Sequence, residues 1–193
     1  MKNAKPSKAE IILAAAKELF WKHGFKRVSI EEICAKAVIS KMTFYRFYSN
    51  KTELAKAVFD GAVKEGNDNF KQILNSSVSP DEKIKKIILL KFEGTNNISQ
   101  EFLMDFYSSK EPELNNYVIQ KTEEVWQNVI QDFRLAQQQG IFRNDFKPEI
   151  ILYMAQRVIE ILNDPKVLKL YDNPQDIIME VANLFMYGIA PHK

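Results

Sequence analysis

The chain has little of the residue types on which several common protein classes depend. It holds a single cysteine, Cys34, so an internal disulfide is impossible and we expect a reducing compartment, most simply the cytoplasm. Only six glycines and seven prolines occur in 193 residues, which disfavours a loop-rich or all-β architecture. No apolar run approaches the roughly 20 residues that cross a bilayer. We therefore expect a folded chain with no membrane partner.

Patterns that indicate catalysis or a bound cofactor are also missing. There is no Gly-rich phosphate loop and no nucleophile elbow. Two histidines and one cysteine are too few for a convincing metal site. Carboxylate pairs such as Glu31–Glu32 stand where helices open, a position typical of caps rather than of acid–base catalysts. We expect that the protein is not an enzyme and uses no metal and no cofactor.

Charge is distributed unevenly along the chain, although the net charge is only +2. Residues 1–51 contain 11 Lys/Arg and 4 Asp/Glu, whereas residues 52–193 contain 16 Lys/Arg and 21 Asp/Glu. A basic first quarter followed by an acidic remainder indicates a molecule of two parts. The basic part is a candidate for binding a polyanion, although charge alone favours this no more than a solvated basic surface.

Helical patterns run through almost the whole sequence. Apolar residues recur at spacings of three and four, and no strand pattern is stronger than its helical alternative. Three Ser-x-x-Glu capping boxes predict helix starts: Ser7–Glu10, Ser29–Glu32 and Ser79–Glu82. The sequence therefore predicts an all-α fold of about nine helices.

The stretch "VISKMTFYRFYSNKTEL", Val38 to Leu54, predicts a helix-turn-helix. Ser40 can cap a short helix that presents Arg46 outward, where its guanidinium can donate two hydrogen bonds to a guanine edge. Lys41 and Lys51 each stand at the start of a helix, where a cation opposes the helix dipole. A DNA phosphate at either N-terminus would remove that conflict. The stretch therefore favours DNA binding.

The same region resembles the DNA-binding domain of the TetR family of transcriptional regulators. The residues that carry the resemblance are "IILAAAKELFWKHGF" and "SIEEICAKAVISKMTFYRFYSNKTEL". Further on, "GIFRNDFKPEIILYMAQRVIEIL" and "NLFMYGI" are similar to the family's last two long helices. The resemblance implies a homodimer, a palindromic double-stranded DNA operator and a C-terminal domain that binds a small-molecule effector. It also implies that Phe44 and Tyr48 are core residues.

The residues expected to contact DNA lie in the second and third helices and at the start of the fourth. By the resemblance, phosphates are contacted by Ser29, Thr43, Tyr45 and Lys51, and bases by Lys41, Met42 and Arg46; Ser40 completes the DNA-binding set. Three positions depart from the family pattern. Val38 replaces a turn glycine, Phe47 replaces a His or Tyr that reaches a phosphate, and Met42 replaces a common Gly or Pro.

We expect residues 1–50 to form a helix-turn-helix DNA-binding domain and residues 51–193 a larger helical ligand-binding and dimerisation domain. Large apolar residues of the central helices, with one arginine, are the expected effector pocket: Phe92, Phe102, Phe106, Tyr107, Trp126, Phe133, Tyr153 and Arg157. Excess apolar residues on the last two long helices are the expected dimer interface: Ile151, Met154, Val158, Ile161, Ile177, Val181, Leu184 and Phe185.

Two functions follow from these patterns. The first is a sequence-specific DNA-binding transcriptional regulator, a repressor released from its operator by the effector. The second is a helical ligand-binding or scaffold protein whose helix-turn-helix is vestigial, with Val38 and Phe47 as symptoms. A steep weakening of DNA binding as salt rises distinguishes the first from the second.

Overall fold

The computed structural model describes residues 6–107 and 111–191, and that part of the chain contains ten helices and no strand. The helices are α1 (Lys8–His23), α2 (Ile30–Ala37), α3 (Lys41–Tyr45), α4 (Lys51–Leu74), α5 (Pro80–Gly94), α6 (Gln100–Tyr107), α7 (Pro112–Gln138), α8 (Glu149–Asn163), α9 (Pro165–Leu168) and α10 (Pro174–Ile189). The predicted all-α class is confirmed. None of these helices combines the length and apolarity needed to cross a membrane.

The helices start where local capping chemistry predicts. Ser7, Ser29 and Ser79 each accept a hydrogen bond from the backbone of the glutamate three residues on, and each glutamate accepts one in return. Asn50 caps α4, because its Oδ1 accepts the backbone N–H of Glu53 at 2.9 Å. These side chains satisfy amides that have no partner within their own helix.

One short helix is additional to the nine expected. The sequence predicts only a break at Asn163-Asp164-Pro165, but α9 begins there. The Asp164 side chain accepts the backbone N–H of Lys166 at 2.8 Å, and Pro165 occupies the first helical position, where it needs no N–H partner. The same residues that end α8 therefore open one more helical turn.

The described chain divides into two compact units. The first comprises the chain up to Ala62 together with Ser99–Val118. Its core is an aromatic cluster in which Phe106 of α6 lies 6.3 Å from both Phe20 and Phe25 and 6.5 Å from Phe59, measured between ring centroids. This cluster joins α1, α4 and α6, so the helices around the helix-turn-helix include one from the middle of the chain.

The second unit comprises Val63–Ile98 and the chain from Ile119 onward. Its buried core joins residues of α4, α5, α7, α8 and α10, with Phe133 and Phe142 stacked at 5.0 Å between ring centroids. Trp126 of α7 packs against this core without being fully buried.

Candidate nucleic-acid interface

The segment from α2 to α3 is built by two caps and a left-handed turn. Ser29 opens α2, and its hydroxyl donates to Glu32 Oε2 at 2.8 Å while accepting the Glu32 N–H at 3.2 Å. Ser40 opens α3 by accepting the Thr43 N–H at 3.1 Å. These bonds confirm both serines as helix caps. The hydroxyl proton of Ser29 already has a carboxylate acceptor, so a phosphate at Ser29 would compete with Glu32.

The turn between α2 and α3 keeps the geometry of a glycine turn although it contains valine. Val38 has φ 53° and ψ 51°, in the left-handed region. The N–H of Val38 donates to Ala35 O at 3.2 Å, and the N–H of Ile39 donates to Cys34 O at 3.0 Å, which is the hydrogen-bond pattern of a Schellman motif. A β-branched residue is strained in this conformation, and the side chain of Val38 is 89% exposed. Within the described chain, burial of the Val38 side chain therefore does not compensate for this backbone strain.

Helix α3 buries one residue and exposes most of the others. Phe44 is fully buried, with its ring centroid 5.3 Å from Tyr45 and 6.0 Å from Tyr48. Tyr48 is half-buried, and this burial raises the pKa of its hydroxyl. The expected core roles of Phe44 and Tyr48 agree with these positions. The helix is thereby held by its inner face, which leaves the outer face free for another molecule.

The outer face carries four of the residues expected to contact DNA. Lys41, Met42, Tyr45 and Arg46 are exposed, with Met42 at 77%. Arg46 lies just after the last residue of α3 and forms its C-cap. The Glu31 carboxylate of α2 forms an ion pair with Lys41 and raises the pKa of the Lys41 ammonium. Thr43 is partly buried, and its hydroxyl lies 3.0 Å from that of Ser40.

Lys51 has a different environment from the one expected of a phosphate ligand. Its Nζ donates to the backbone carbonyls of Phe25 at 2.8 Å, Lys26 at 3.3 Å and Val28 at 2.9 Å. An ammonium group has three protons, and here each has an acceptor. Burial lowers the pKa of Lys51, with partial compensation from nearby carboxylates. Lys51 is therefore an internal hydrogen-bond donor in this structure, and its expected contact with a phosphate stays a prediction.

The surroundings of Lys51 include residues that the sequence pattern does not single out. The pattern identifies Gly24 only as the end of α1 and gives no reason to select Asp105. The structure brings both to the loop between α1 and α2, where Asp105 Oδ2 accepts the Lys26 N–H at 2.9 Å. The sequence gives one indication of these contacts, which is the unfavourable position of Lys51 at a helix N-terminus. That position implies an anionic or carbonyl partner but does not identify the partner.

The residues expected to line an effector pocket fall in both units. Phe102, Phe106 and Tyr107 belong to the first, where Phe102 lies 4.2 Å from Trp21 between ring centroids. Phe133 belongs to the core of the second unit, and Trp126 packs against that core. Burial raises the pKa of Tyr107 to about 12.

The remaining three residues of the pocket set, Phe92, Tyr153 and Arg157, lie on the surface of the second unit. The guanidinium of Arg157 forms an ion pair with Glu160 one helical turn away. The buried and half-buried members of the expected pocket set are therefore better placed to line an internal cavity, and the set as a whole stays a prediction.

The residues expected at a dimer interface also divide by exposure. Ile151 and Ile177 are buried inside the protomer, at 9% and 2% exposure, so they present little side-chain surface for the expected interface. Met154, Ile161 and Leu184 are exposed, and Val158, Val181 and Phe185 are half-buried. Three further apolar side chains on the same two helices are exposed: Ile150, Tyr153 and Tyr187.

Comparison with known proteins identifies the N-terminal region and the fold. Residues 12–58 match the family model of bacterial regulatory proteins, tetR family. The HTH-type transcriptional regulator UidR of Escherichia coli strain K12 is 25% identical over 158 residues, which cover 81% of this chain and 77% of UidR. The DNA-binding transcriptional repressor TetR of Mycobacteroides abscessus is 37% identical over 62 residues, which cover 32% of this chain and 33% of that protein.

A solved structure extends the similarity of fold to almost the whole chain. The fatty acid degradation regulator FadR from Bacillus halodurans has a TM-score of 0.67 and 14% identity, with 98% of this chain and 100% of that chain covered. The alternative of a helical protein with a vestigial helix-turn-helix is not favoured, because the family match lies on the helix-turn-helix itself. The family-model match, the relatives and the solved structure together support a DNA-binding transcriptional regulator of the TetR type.

Proposed function

We propose that the protein is a cytoplasmic, homodimeric repressor that leaves a palindromic operator when a small-molecule effector binds. In this proposal residues 1–50 bind DNA and residues 51–193 bind the effector and the second protomer. The observation that carries the DNA-binding part is the exposed outer face of α3, with Met42, Tyr45 and Arg46 held outward by the burial of Phe44.

The proposed contacts to DNA come from the helix-turn-helix residues that are exposed or partly exposed. Arg46 can read a guanine through two parallel hydrogen bonds, and Lys41 can reach a base edge if its ion pair with Glu31 opens. Tyr45, Thr43, Ser40 and Ser29 carry hydroxyls suited to phosphate oxygens. Val38 and Phe47, two of the departures from the family pattern, both have exposed side chains.

The proposed dimer is supported by apolar faces left uncovered on α8 and α10. Ile150, Met154 and Ile161 of α8 are exposed at spacings that share one helix face. Leu184 and Tyr187 of α10 are exposed as well, one turn apart. Contiguous exposed apolar surface is typical of an interface rather than of a free monomer surface. A two-fold axis through these helices would join four helices, two from each protomer.

The proposed effector is mostly apolar, since the buried members of the pocket set are aromatic. The effector shifts the operator equilibrium only by its differential affinity for the two states, typically about 1–3 kcal/mol of coupling. Operator DNA must weaken effector binding by the same factor.

Trp126 provides a test of effector release. In a Trp21→Phe variant, Trp126 is the remaining tryptophan, because the chain has two. We expect apolar and amphipathic compounds to change its fluorescence saturably, and we expect operator DNA to weaken that titration. A compound that saturates Trp126 yet leaves operator affinity unchanged would contradict effector release. As the control, the Trp21→Phe variant without effector should bind the operator with the same affinity as the unsubstituted protein.

A further inference from the structure

The loop between α1 and α2, residues 24–29, is held from two sides by helices distant in sequence. On one side stands Lys51 of α4, with its three hydrogen bonds to carbonyls of Phe25, Lys26 and Val28. The same ammonium lies 4.4 Å from the centroid of the Phe25 ring, at cation–π distance. One lysine side chain therefore fixes both the backbone and an aromatic side chain of the loop.

On the other side of the loop stands α6. Asp105 is buried at 8% exposure, and its Oδ2 accepts the N–H of Lys26. Gly24 has φ 79°, and a Cβ at that position would lie 2.8 Å from both Asp105 Oδ2 and Glu101 Cβ. The backbone of the loop therefore packs directly against α6, at a separation that only glycine permits. Lys26 thus has its carbonyl bound from α4 and its amide bound from α6.

The loop leads directly into α2 and α3, the two helices of the helix-turn-helix. Val28, whose carbonyl Lys51 binds, precedes Ser29, and Ser29 caps α2. Helix α2 in turn joins α3 through the turn at Val38 and through the ion pair between Glu31 and Lys41. Each link from Lys51 to α3 is a hydrogen bond, a cap or an ion pair. A change in the position of the loop would therefore change where α2 and α3 begin.

We propose that Lys51 is a positioning residue for DNA recognition: it sets the α1–α2 loop, and through the loop the orientation of α2 and α3, without contacting phosphate. Asp105 is the second anchor of the same loop. In this proposal, Lys51 of α4 and Asp105 of α6 both affect the position of α2 and α3, because both hold the loop that precedes α2.

The salt dependence of DNA binding separates positioning from phosphate contact. Lys51→Met keeps the length and the apolar stem of the side chain and removes the three donors. We expect affinity for the operator to fall by about tenfold or more, the equivalent of one mismatched base pair in the site. We expect affinity for random-sequence DNA, and the slope of log affinity against log salt concentration, to stay unchanged. Lys64→Met, which removes an exposed lysine paired with Asp68 on the same helix, is the matched control.

A lysine that binds phosphate directly predicts the opposite pattern. Its removal would weaken binding to operator and random DNA alike and reduce the salt slope by about 0.9 for each phosphate that is no longer neutralised. That result would overturn the proposal, and so would operator affinity equal to that of the Lys64→Met control. Active protein is counted by titration with excess operator, so a misfolded fraction lowers the stoichiometry and does not imitate a loss of affinity.

A second variant and a measurement without DNA keep the proposal testable if Lys51→Met folds poorly. Asp105→Ala leaves Lys51 in place, and we expect the same loss of operator affinity with an unchanged salt slope. Asp105→Asn retains an acceptor for the Lys26 N–H and should restore most of the affinity. Hydrogen exchange in residues 24–29 should accelerate in Lys51→Met and in Asp105→Ala. Unchanged exchange in both variants would overturn the proposal even if no operator were found.

Discussion

At the scale of single residues, Val38 shows a strained position that the sequence indicates and the structure defines. A valine in place of a turn glycine predicts either a strained or a rearranged turn. The structure has the strained form, with left-handed φ and ψ and intact Schellman hydrogen bonds. A non-glycine residue in this region costs about 1–3 kcal/mol. Because the side chain is exposed, its removal leaves no cavity.

Val38→Gly should therefore stabilise the free protein. The relief of backbone strain exceeds the roughly 0.4–1 kcal/mol by which glycine's added freedom stabilises the unfolded chain. We expect a gain of about 1 kcal/mol, which corresponds to a rise of about 2–4 °C in Tm for a chain of this size. Thermal unfolding followed by circular dichroism measures it.

Asn97→Gly is the matched control for that substitution. Asn97 also has positive φ, at 59°, but asparagine tolerates the left-handed region better than valine does. Its Tm should rise less than that of Val38→Gly. A Tm for Val38→Gly at or below that of the unsubstituted protein would show that the turn is not strained.

Lys51 shows the limit of sequence reasoning at this scale. Its unfavourable position at a helix N-terminus is visible in the sequence, and a phosphate is one anion that could explain it. The actual partners are carbonyls of residues 25, 26 and 28, more than 20 positions away in the sequence. No local pattern specifies such a contact, because it depends on how α1 and α4 pack. Caps, by contrast, are predictable since their partners lie three residues apart.

At the scale of elements, the helix boundaries are predictable and the exposure of their faces is not. Ser29, Ser40, Asn50 and Ser79 mark helix starts within a residue, because capping is local chemistry. Apolar spacing locates α8 and α10 but gives both helices more apolar residues than one face needs. Only the packed structure separates buried Ile151 from exposed Met154 on α8.

Leu184→Glu tests whether the exposed face of α10 forms the dimer. The side chain is 69% exposed, so the substitution should leave the protomer folded. In the proposed dimer it would bury an unpaired carboxylate, at a cost of several kcal/mol. We expect sedimentation equilibrium to give a dimer for the unsubstituted protein at micromolar concentration and a monomer for Leu184→Glu.

Leu170→Glu is the control for surface charge. Leu170 is 74% exposed and lies after α9, outside the two helices of the proposed interface. The Leu170→Glu variant should remain dimeric. Equal dimerisation of the two variants would reject the interface, and a monomeric unsubstituted protein would reject the dimer.

At the scale of the whole molecule, the predicted division at residues 50 and 51 follows function, and it stays a prediction. The compact units follow packing, and the first of them draws in Ser99–Val118. That discontinuity could not be predicted, because it results from aromatic contacts of α6 with α1 and α4, such as Phe106 with Phe20 and Phe59. The sequence does show the charge asymmetry, since charge can be counted without knowledge of packing.

The central claim is that the exposed end of α3 reads DNA sequence, and operator affinity of Arg46→Ala tests it most directly. The operator is first obtained by selection from a random DNA library with the full chain, and we expect an inverted repeat whose half-sites lie about 34–36 Å apart. Fluorescence anisotropy should then show that Arg46→Ala weakens operator binding by about 1–3 kcal/mol and relaxes selectivity at one base pair in each half-site, while binding to random DNA changes little. An Arg46→Ala variant with unchanged operator affinity and selectivity would contradict the claim.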